Sequence, residues 1–187
     1  LAVVGALLFS AGSVWADFDD GWAAYERGDY ATALQEFRPL AEQGDAKAQF
    51  NLGFMYDNGK GVPENDAEAA KWYRKAAEQG DVMAQYSLGG MYFRGEGVSQ
   101  NFTEAVKWFR KAAEQGDAYA QVNLGFMYGT GEGVPMNYVK AYMWYSLSKA
   151  QGNEDAAKGL YIIEKEMTPA QIAKAQELAA EWLEKHN

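Results

Sequence analysis

Three stretches of the chain match one another at a fixed offset of 36 residues. Gly44-Asp45, Gly80-Asp81 and Gly116-Asp117 stand in register, as do Leu52-Gly53, Leu88-Gly89 and Leu124-Gly125, and then Tyr56, Tyr92 and Tyr128. The second half of each unit keeps the phase through Ala69, Ala105 and Ala141, through Trp72, Trp108 and Trp144, and through Tyr73, Phe109 and Tyr145. Gly152 extends the series once more. A period of this length marks a stacked array, in which no unit buries its apolar face alone and each relies on its neighbours.

The spacing inside a unit is helical. Ala48, Leu52, Met55 and Tyr56 fall at i, i+4, i+7 and i+8, which places them on one face of a helix A over residues 46 to 58. The run Asn58-Gly59-Lys60-Gly61-Val62-Pro63 then supplies turn residues, with equivalents at Gly95-Glu96-Gly97-Val98 and Gly131-Glu132-Gly133-Val134-Pro135. Helix B follows over residues 66 to 78, with Ala69, Trp72, Tyr73, Ala76 and Ala77 as its apolar stripe and Lys71, Arg74 and Lys75 facing water. Gly80 is placed to end helix B as a left-handed cap and Asp81 to cap the next helix A. Gly53, Gly89 and Gly125 fall in mid-helix, where glycine costs roughly 1 kcal/mol relative to alanine. A close approach between helices, with a helix B tryptophan or its aromatic neighbour filling the space, is the expected compensation.

Both ends depart from the period. At the front, Trp22, Tyr25, Gly28-Asp29-Tyr30, Ala33 and Phe37 predict a shorter helical hairpin over residues 17–44, without the glycine-rich loop. At the back, Asn153, Ala156 and Leu160 hold the phase, but Tyr161 takes the mid-helix glycine position. Residues 153–187 are therefore expected to cap the array, since terminal units must present a polar face. Thr168-Pro169-Ala170-Gln171 reads as a helix start with a threonine cap. The whole predicts an all-α solenoid of five antiparallel helix hairpins.

Of 187 residues, 48% are hydrophobic and 14% aromatic, which suits a packed globular chain. Residues 1–16 carry no charge and end Ser13-Val14-Trp15-Ala16 ahead of Asp17-Phe18-Asp19-Asp20, which predicts a secretory signal. The basic front of such a signal is missing and the chain opens on Leu1, so the sequence is expected to begin inside it. A periplasmic or secreted home follows as an expectation, with no membrane insertion once the signal is cleaved. An uncleaved anchor is the alternative. Without cysteine, no thiolate is available as nucleophile or metal ligand. The net charge of −9 argues against a nucleic-acid partner, whose phosphates call for clustered lysine and arginine.

The run Ala-Gln-x-x-Leu-Gly-x-x-Tyr, the Gly-x-Gly-Val-Pro loop and then Ala-x-x-Trp-Tyr-x-Lys-Ala-Ala-Glu-Gln-Gly-Asp resemble the Sel1-like repeat. It stands at 48 to 81, again at 84 to 117, and a third copy from Ala120 fades after Trp144-Tyr145. Three such units are placed at 45–152, and the first hairpin is closer to a tetratricopeptide unit. The resemblance implies a right-handed superhelix of antiparallel helix pairs, used in many bacterial proteins to hold partner proteins. Some cysteine-rich members are described as binding or hydrolysing β-lactams; this chain has no cysteine, so that role is not carried over.

Chemistry is sparse. The only histidine, His186, is next to the last residue, where a working base is hard to hold in place. Serine-histidine-aspartate, cysteine-histidine and zinc constellations are absent. Asp57-Asn58-Gly59-Lys60-Gly61 has some look of a calcium loop but lacks the acidic residue at the twelfth position, and its copies change to Phe93-Arg94-Gly95 and Gly129-Thr130-Gly131. It reads as a turn. No cofactor or metal is expected.

The better candidate is the face of helix A that lies off the core stripe. It carries Phe50, Phe54 and Asn58 in the first full unit, Met83, Tyr86 and Arg94 in the second, and Tyr119, Phe126 and Thr130 in the third. Asn51, Ser87 and Asn123 recur beside them as groups able to bond an extended peptide. In superhelical arrays this face lines the concave surface, and exposed aromatics with an arginine among them are typical of hot spots. The alternative is that the rings pack between neighbouring A helices. The expectation is a scaffold binding a protein or peptide in envelope assembly or signalling. Its rivals are an enzyme on cell-wall or β-lactam substrates, a regulator of a sensor or secretion component, and a spacer between other modules.

Overall fold

The computed structural model describes residues 16–186, and these form ten α-helices and one 3-10 turn, with no strand among the described residues. All of the expected secretory signal except Ala16 lies outside them. Helices α1 (Phe18–Glu26) and α2 (Tyr30–Gln43) make the first hairpin. The pairs α3 (Ala46–Asp57) with α4 (Asp66–Glu78), α5 (Val82–Arg94) with α6 (Phe102–Glu114), and α7 (Ala118–Thr130) with α8 (Tyr138–Ala150) make the three regular units. Helix α9 (Glu154–Ile163), the 3-10 turn Glu164–Glu166 and α10 (Pro169–His186) follow. From α1 to α9 each helix packs on the next in the chain, which is the contact pattern of a solenoid.

One dipeptide makes each junction between units. Gly44, Gly80 and Gly116 sit at φ 104°, 100° and 95°, a left-handed conformation that ends the B helix. The aspartate that follows turns back on the next helix: Asp45, Asp81 and Asp117 accept from the backbone N–H of Ala48, Ala84 and Ala120 at 2.7, 2.8 and 2.6 Å. B helices are capped by Asn65, Asn101 and Asn137, whose side chains accept from the backbone N–H of Glu68, Glu104 and Lys140.

The mid-helix glycines are explained by contact. A β-carbon on Gly53, Gly89 or Gly125 would come within 2.8, 2.7 and 2.9 Å of the rings of Tyr73, Phe109 and Tyr145 respectively. The tryptophan next to each of those rings points elsewhere, since neighbouring helix positions lie about 100° apart. Trp72 packs back on Ala41, Ala48 and Leu52, whereas Tyr73 packs forward in a core with Ala84, Leu88 and Trp108. Each interface between units is thus filled by one ring from either side.

Buried glutamines form a second seam. The Gln85 amide donates to the Ala77 carbonyl at 3.1 Å, and Gln115 Nε2 donates both to Gln85 Oε1 at 2.8 Å and to the Gly80 carbonyl at 3.1 Å. The same three bonds recur for Gln49 with Gln79 and for Gln121 with Gln151. The second glycine of each loop, Gly61, Gly97 or Gly133, has positive φ and lies against the main chain of Tyr30, Asp66 or Phe102, the first residue of the preceding B helix. Any side chain there would collide with backbone.

The far end closes differently from the expected fifth hairpin. Helix α10 packs along α8 instead of pairing with α9. Trp182 meets Trp144 nearly edge-on at 6.2 Å, and Ala175 and Ala179 join the same core. The reason lies in α9: Tyr161 fills the glycine position and cannot receive a ring from a helix partner, so it stays exposed. Gly159 lies against the Tyr145 ring of α8 instead. Thr168 and Gln171 start α10 with a reciprocal cap, each side chain meeting the other's backbone N–H, at 3.3 and 2.8 Å. No helix of the described residues is long and apolar enough to cross a membrane.

Candidate partner-binding face

Helices α3, α5 and α7 place their non-core positions on one face in four rows, 36 residues apart along each row. The rows read Lys47, Met83, Tyr119; Phe50, Tyr86, Val122; Phe54, Gly90, Phe126; and Asn58, Arg94, Thr130. Met83 and Tyr119 are 53% and 65% exposed, and Phe126, Asn58, Arg94 and Thr130 are exposed as well. Phe50, Phe54, Tyr86, Ser87 and Asn123 are half-buried.

The half-buried rings bridge the A helices, so the alternative reading of the sequence holds for part of the row. Tyr86 lies 6.0 Å from Phe109 and 6.1 Å from Tyr119, and Phe93 lies 6.2 Å from Phe126. Phe54 meets Tyr25 of the first hairpin at 6.2 Å, and Phe50 meets Tyr73 at 5.7 Å. Asn51 departs from the expectation of a free amide: at 9% exposure it is buried, and its Nδ2 donates to the Lys47 carbonyl one turn back. Asn58 and Thr130 likewise donate to the carbonyls of Phe54 and Phe126.

A recess opens in the middle of the face. It has a volume of about 440 Å³, within the range of roughly 300–1,000 Å³ usual for binding clefts, and is walled by Asp57, Tyr86, Ser87, Arg94, Asn123 and the rings of Phe93 and Phe109. Its origin is a single substitution along the third row. Where the flanking units carry Phe54 and Phe126, the middle one carries Gly90, and the missing ring leaves a hollow. Arg94 folds back over Gly90, close enough that a β-carbon there would stand 3.0 Å from its guanidinium, and its Nε donates to Glu96 at 2.6 Å.

Asp57 forms part of the wall. Its Oδ2 accepts from the Tyr73 hydroxyl at 3.1 Å, and it pairs with no cation among the described residues. Burial raises its carboxyl pKa above the ordinary range, against the lowering effect of the Tyr73 bond. The Tyr73 hydroxyl is pushed far up, first by burial and then by the charge of Asp57. Tyr86 is also raised by burial, with Asn123 beside its hydroxyl. Sequence reasoning brought Tyr86, Ser87, Arg94 and Asn123 to this face, and the structure gathers all four around the recess. It missed Asp57, read only as a turn residue, and Gly90. The signal for both was a break in a row: acid against Phe93 and Gly129, glycine against two phenylalanines.

His186 stands far along the chain on α10, its ring stacked on Trp182 at 4.0 Å and its Nδ1 2.7 Å from the Trp182 carbonyl. No group of three or more histidine, cysteine, aspartate or glutamate side chains suited to a metal ion occurs among the described residues.

The model of the Sel1 repeat matches residues 46–81, 82–117 and 118–153, which together make up more than half of the chain. The chain belongs to the Sel1 repeat family. A crystal structure of a Sel1 repeat protein from Oxalobacter formigenes is 33% identical, with a TM-score of 0.76 over 91% of this chain and 71% of that one. The protective antigen c5321 of uropathogenic Escherichia coli, which displays the SLR fold, is 31% identical over 90% of this chain, with a TM-score of 0.63. This chain spans 45% of its length. Cysteine-rich protein B of Helicobacter pylori shares the fold at 22% identity and a TM-score of 0.55, covering 70% of this chain and 93% of that one. No curated protein matches the chain.

Proposed function

We propose that this Sel1 repeat protein is a noncovalent scaffold of the bacterial envelope, exported and then cleaved ahead of Asp17, whose A-helix face holds a partner protein or peptide. One observation carries the reading. The seams between units repeat faithfully every 36 residues, while the exposed face of α3, α5 and α7 differs at nearly every row and keeps aromatic side chains in water. Side chains that hold the fold repeat from unit to unit, and exposed aromatic side chains on a face left free of that constraint are of the kind that anchors a partner.

The test is a photoreactive side chain at position 119, exposed on this face, against the same probe at Lys71 on the B-helix side. A single protein captured at 119 and absent at 71 supports the reading; equal capture, or none, overturns it. The mass of the mature protein recovered from cells tests the export half, since a chain beginning at Asp17 is required.

A further inference from the structure

The recess between α3, α5 and α7 has an uncompensated charge in its wall. Asp57 is half-buried, accepts one hydrogen bond from Tyr73, and has no cationic partner among the described residues. The one cation lining the recess, Arg94, is already held by Glu96 at 2.6 Å, so the pair at the rim adds no net charge. Taking a carboxylate part-way out of water without a partner is costly, and an opposite charge brought beside it offsets that cost.

Nor does the fold need this acid. The equivalents of Asp57 are Phe93 and Gly129, and the equivalents of Tyr73 are Phe109, which has no hydroxyl, and Tyr145. The other two units are built without the aspartate-tyrosine bond. Asp57 is thus present in one unit only, at the place where Gly90 opens the face.

The other walls suit the same kind of guest. Phe93, Phe109 and Tyr86 offer ring surfaces on which an alkyl stem packs and over which a positive charge is favoured. Ser87 and Asn123 are small polar groups that line the same hollow. The whole chain carries a net charge of −9, which draws basic partners toward it and repels acidic ones.

We propose that the recess takes one cationic side chain, lysine or arginine, of the bound polypeptide, with Asp57 as its counter-charge and the rings of Phe93 and Phe109 against its stem. This rests on the reading that the A-helix face binds a polypeptide, and it assigns that face a specificity: a basic anchor residue.

A display library of random dodecapeptides, selected on the immobilised full chain, provides the probe. Selected peptides are expected to share a lysine or arginine at one position and to lose affinity on Tyr119→Ala, which places them on the face. Asp57→Asn keeps the shape and the acceptor for Tyr73, and it should weaken the best peptide roughly tenfold or more, as losing one member of a desolvated charge pair does. Norleucine at the basic position of the peptide should weaken it to a similar degree without any change in the protein. Tyr73→Phe, which keeps the charge, should stay within about threefold of the parent, on the same argument. Peptides that bind the face without a shared basic residue, that prefer an acidic one, or that ignore both Asp57→Asn and norleucine would overturn the anchor while leaving the scaffold reading intact. Selection of no peptide sensitive to Tyr119→Ala would overturn both.

Discussion

The seams between units and the face of the A helices are built from the same helices on different sides, and they follow opposite rules. On the packed side, glycine meets ring and glutamine meets glutamine inside each regular unit, and arginine meets tyrosine from one unit to the next. Arg74 donates to the Tyr92 hydroxyl at 2.7 Å and Arg110 to that of Tyr128 at 3.0 Å, one unit apart. On the face, the same helical position carries phenylalanine, glycine and phenylalanine in turn. A residue fixed by its contacts in every unit carries structural information; a residue free to change from unit to unit is available to recognise something. The contrast separates positions that the fold fixes from positions that it leaves open, on a fold that does not itself dictate a function.

The contrast can be broken first at the seam. Gly89→Leu would push a side chain into the Phe109 ring, which already lies 2.7 Å from where a β-carbon would stand. A loss of about 3 kcal/mol, at the upper end of overpacking costs, is expected in chemical denaturation. A change under about 0.5 kcal/mol, the usual size for surface sites, would show that the helices do not approach as closely as described. Gln85→Leu comes next. It removes one of the two donors on the Ala77 carbonyl, which keeps the Gly80 N–H, and strips Gln115 of an acceptor, a loss of about 1 kcal/mol, readable as a lower Tm.

On the face the effects should separate by burial. Tyr86→Ala removes a ring packed on Phe109, so it is expected to cost about 1–2 kcal/mol, part of the value of a fully buried aromatic. Tyr119→Ala, at an exposed ring, should leave Tm within about 2 °C and act mainly on partner binding, since surface substitutions stay within about 0.5 kcal/mol. Equal losses for the two would erase the distinction between the packed and the open part of the row.

The smallest effect should have the opposite sign. Burial raises the Asp57 carboxyl pKa in the folded state, so the ionised form destabilises the fold. That penalty is complete at neutral pH and vanishes as the pH falls below about 4, where the carboxyl is protonated folded or unfolded. Asp57→Asn should therefore raise Tm at pH 7, by no more than the roughly 2–4 °C that 1 kcal/mol makes in a chain of this size, and leave it unchanged at pH 3. A fall in Tm at pH 7 would mean that Asp57 is a structural residue belonging with the seam.

The periodic features could be read from the sequence because repetition itself supplies the evidence: Gly80-Asp81 recurs, and a cap is the one role that suits glycine and aspartate together. The rings against Gly53, Gly89 and Gly125 were legible as a close approach, though not which of the two B-helix aromatics made it. The glutamine pairs escaped notice because their partners lie 30 residues apart, one in the A helix and one just past the end of the B helix, and nothing local marks them as facing each other. The fifth hairpin failed where the period failed: once Tyr161 blocks the glycine position, which surface α10 covers is decided by Trp144 and Trp182, not by repeat phase. On the face, the aromatics were visible as residue types, but an unoccupied volume leaves no residue of its own. It had to be inferred from Gly90 standing where its counterparts are phenylalanine.

The loop glycines have a wider implication. Because Gly61, Gly97 and Gly133 seat each loop on main chain rather than on side chains, the advance from one unit to the next is set by atoms that every unit possesses. The array behaves as a ruler whose graduations are cut in backbone. Its reach is changed only by adding or removing whole divisions, and the marks written on its A-helix side can be rewritten one by one without altering the scale.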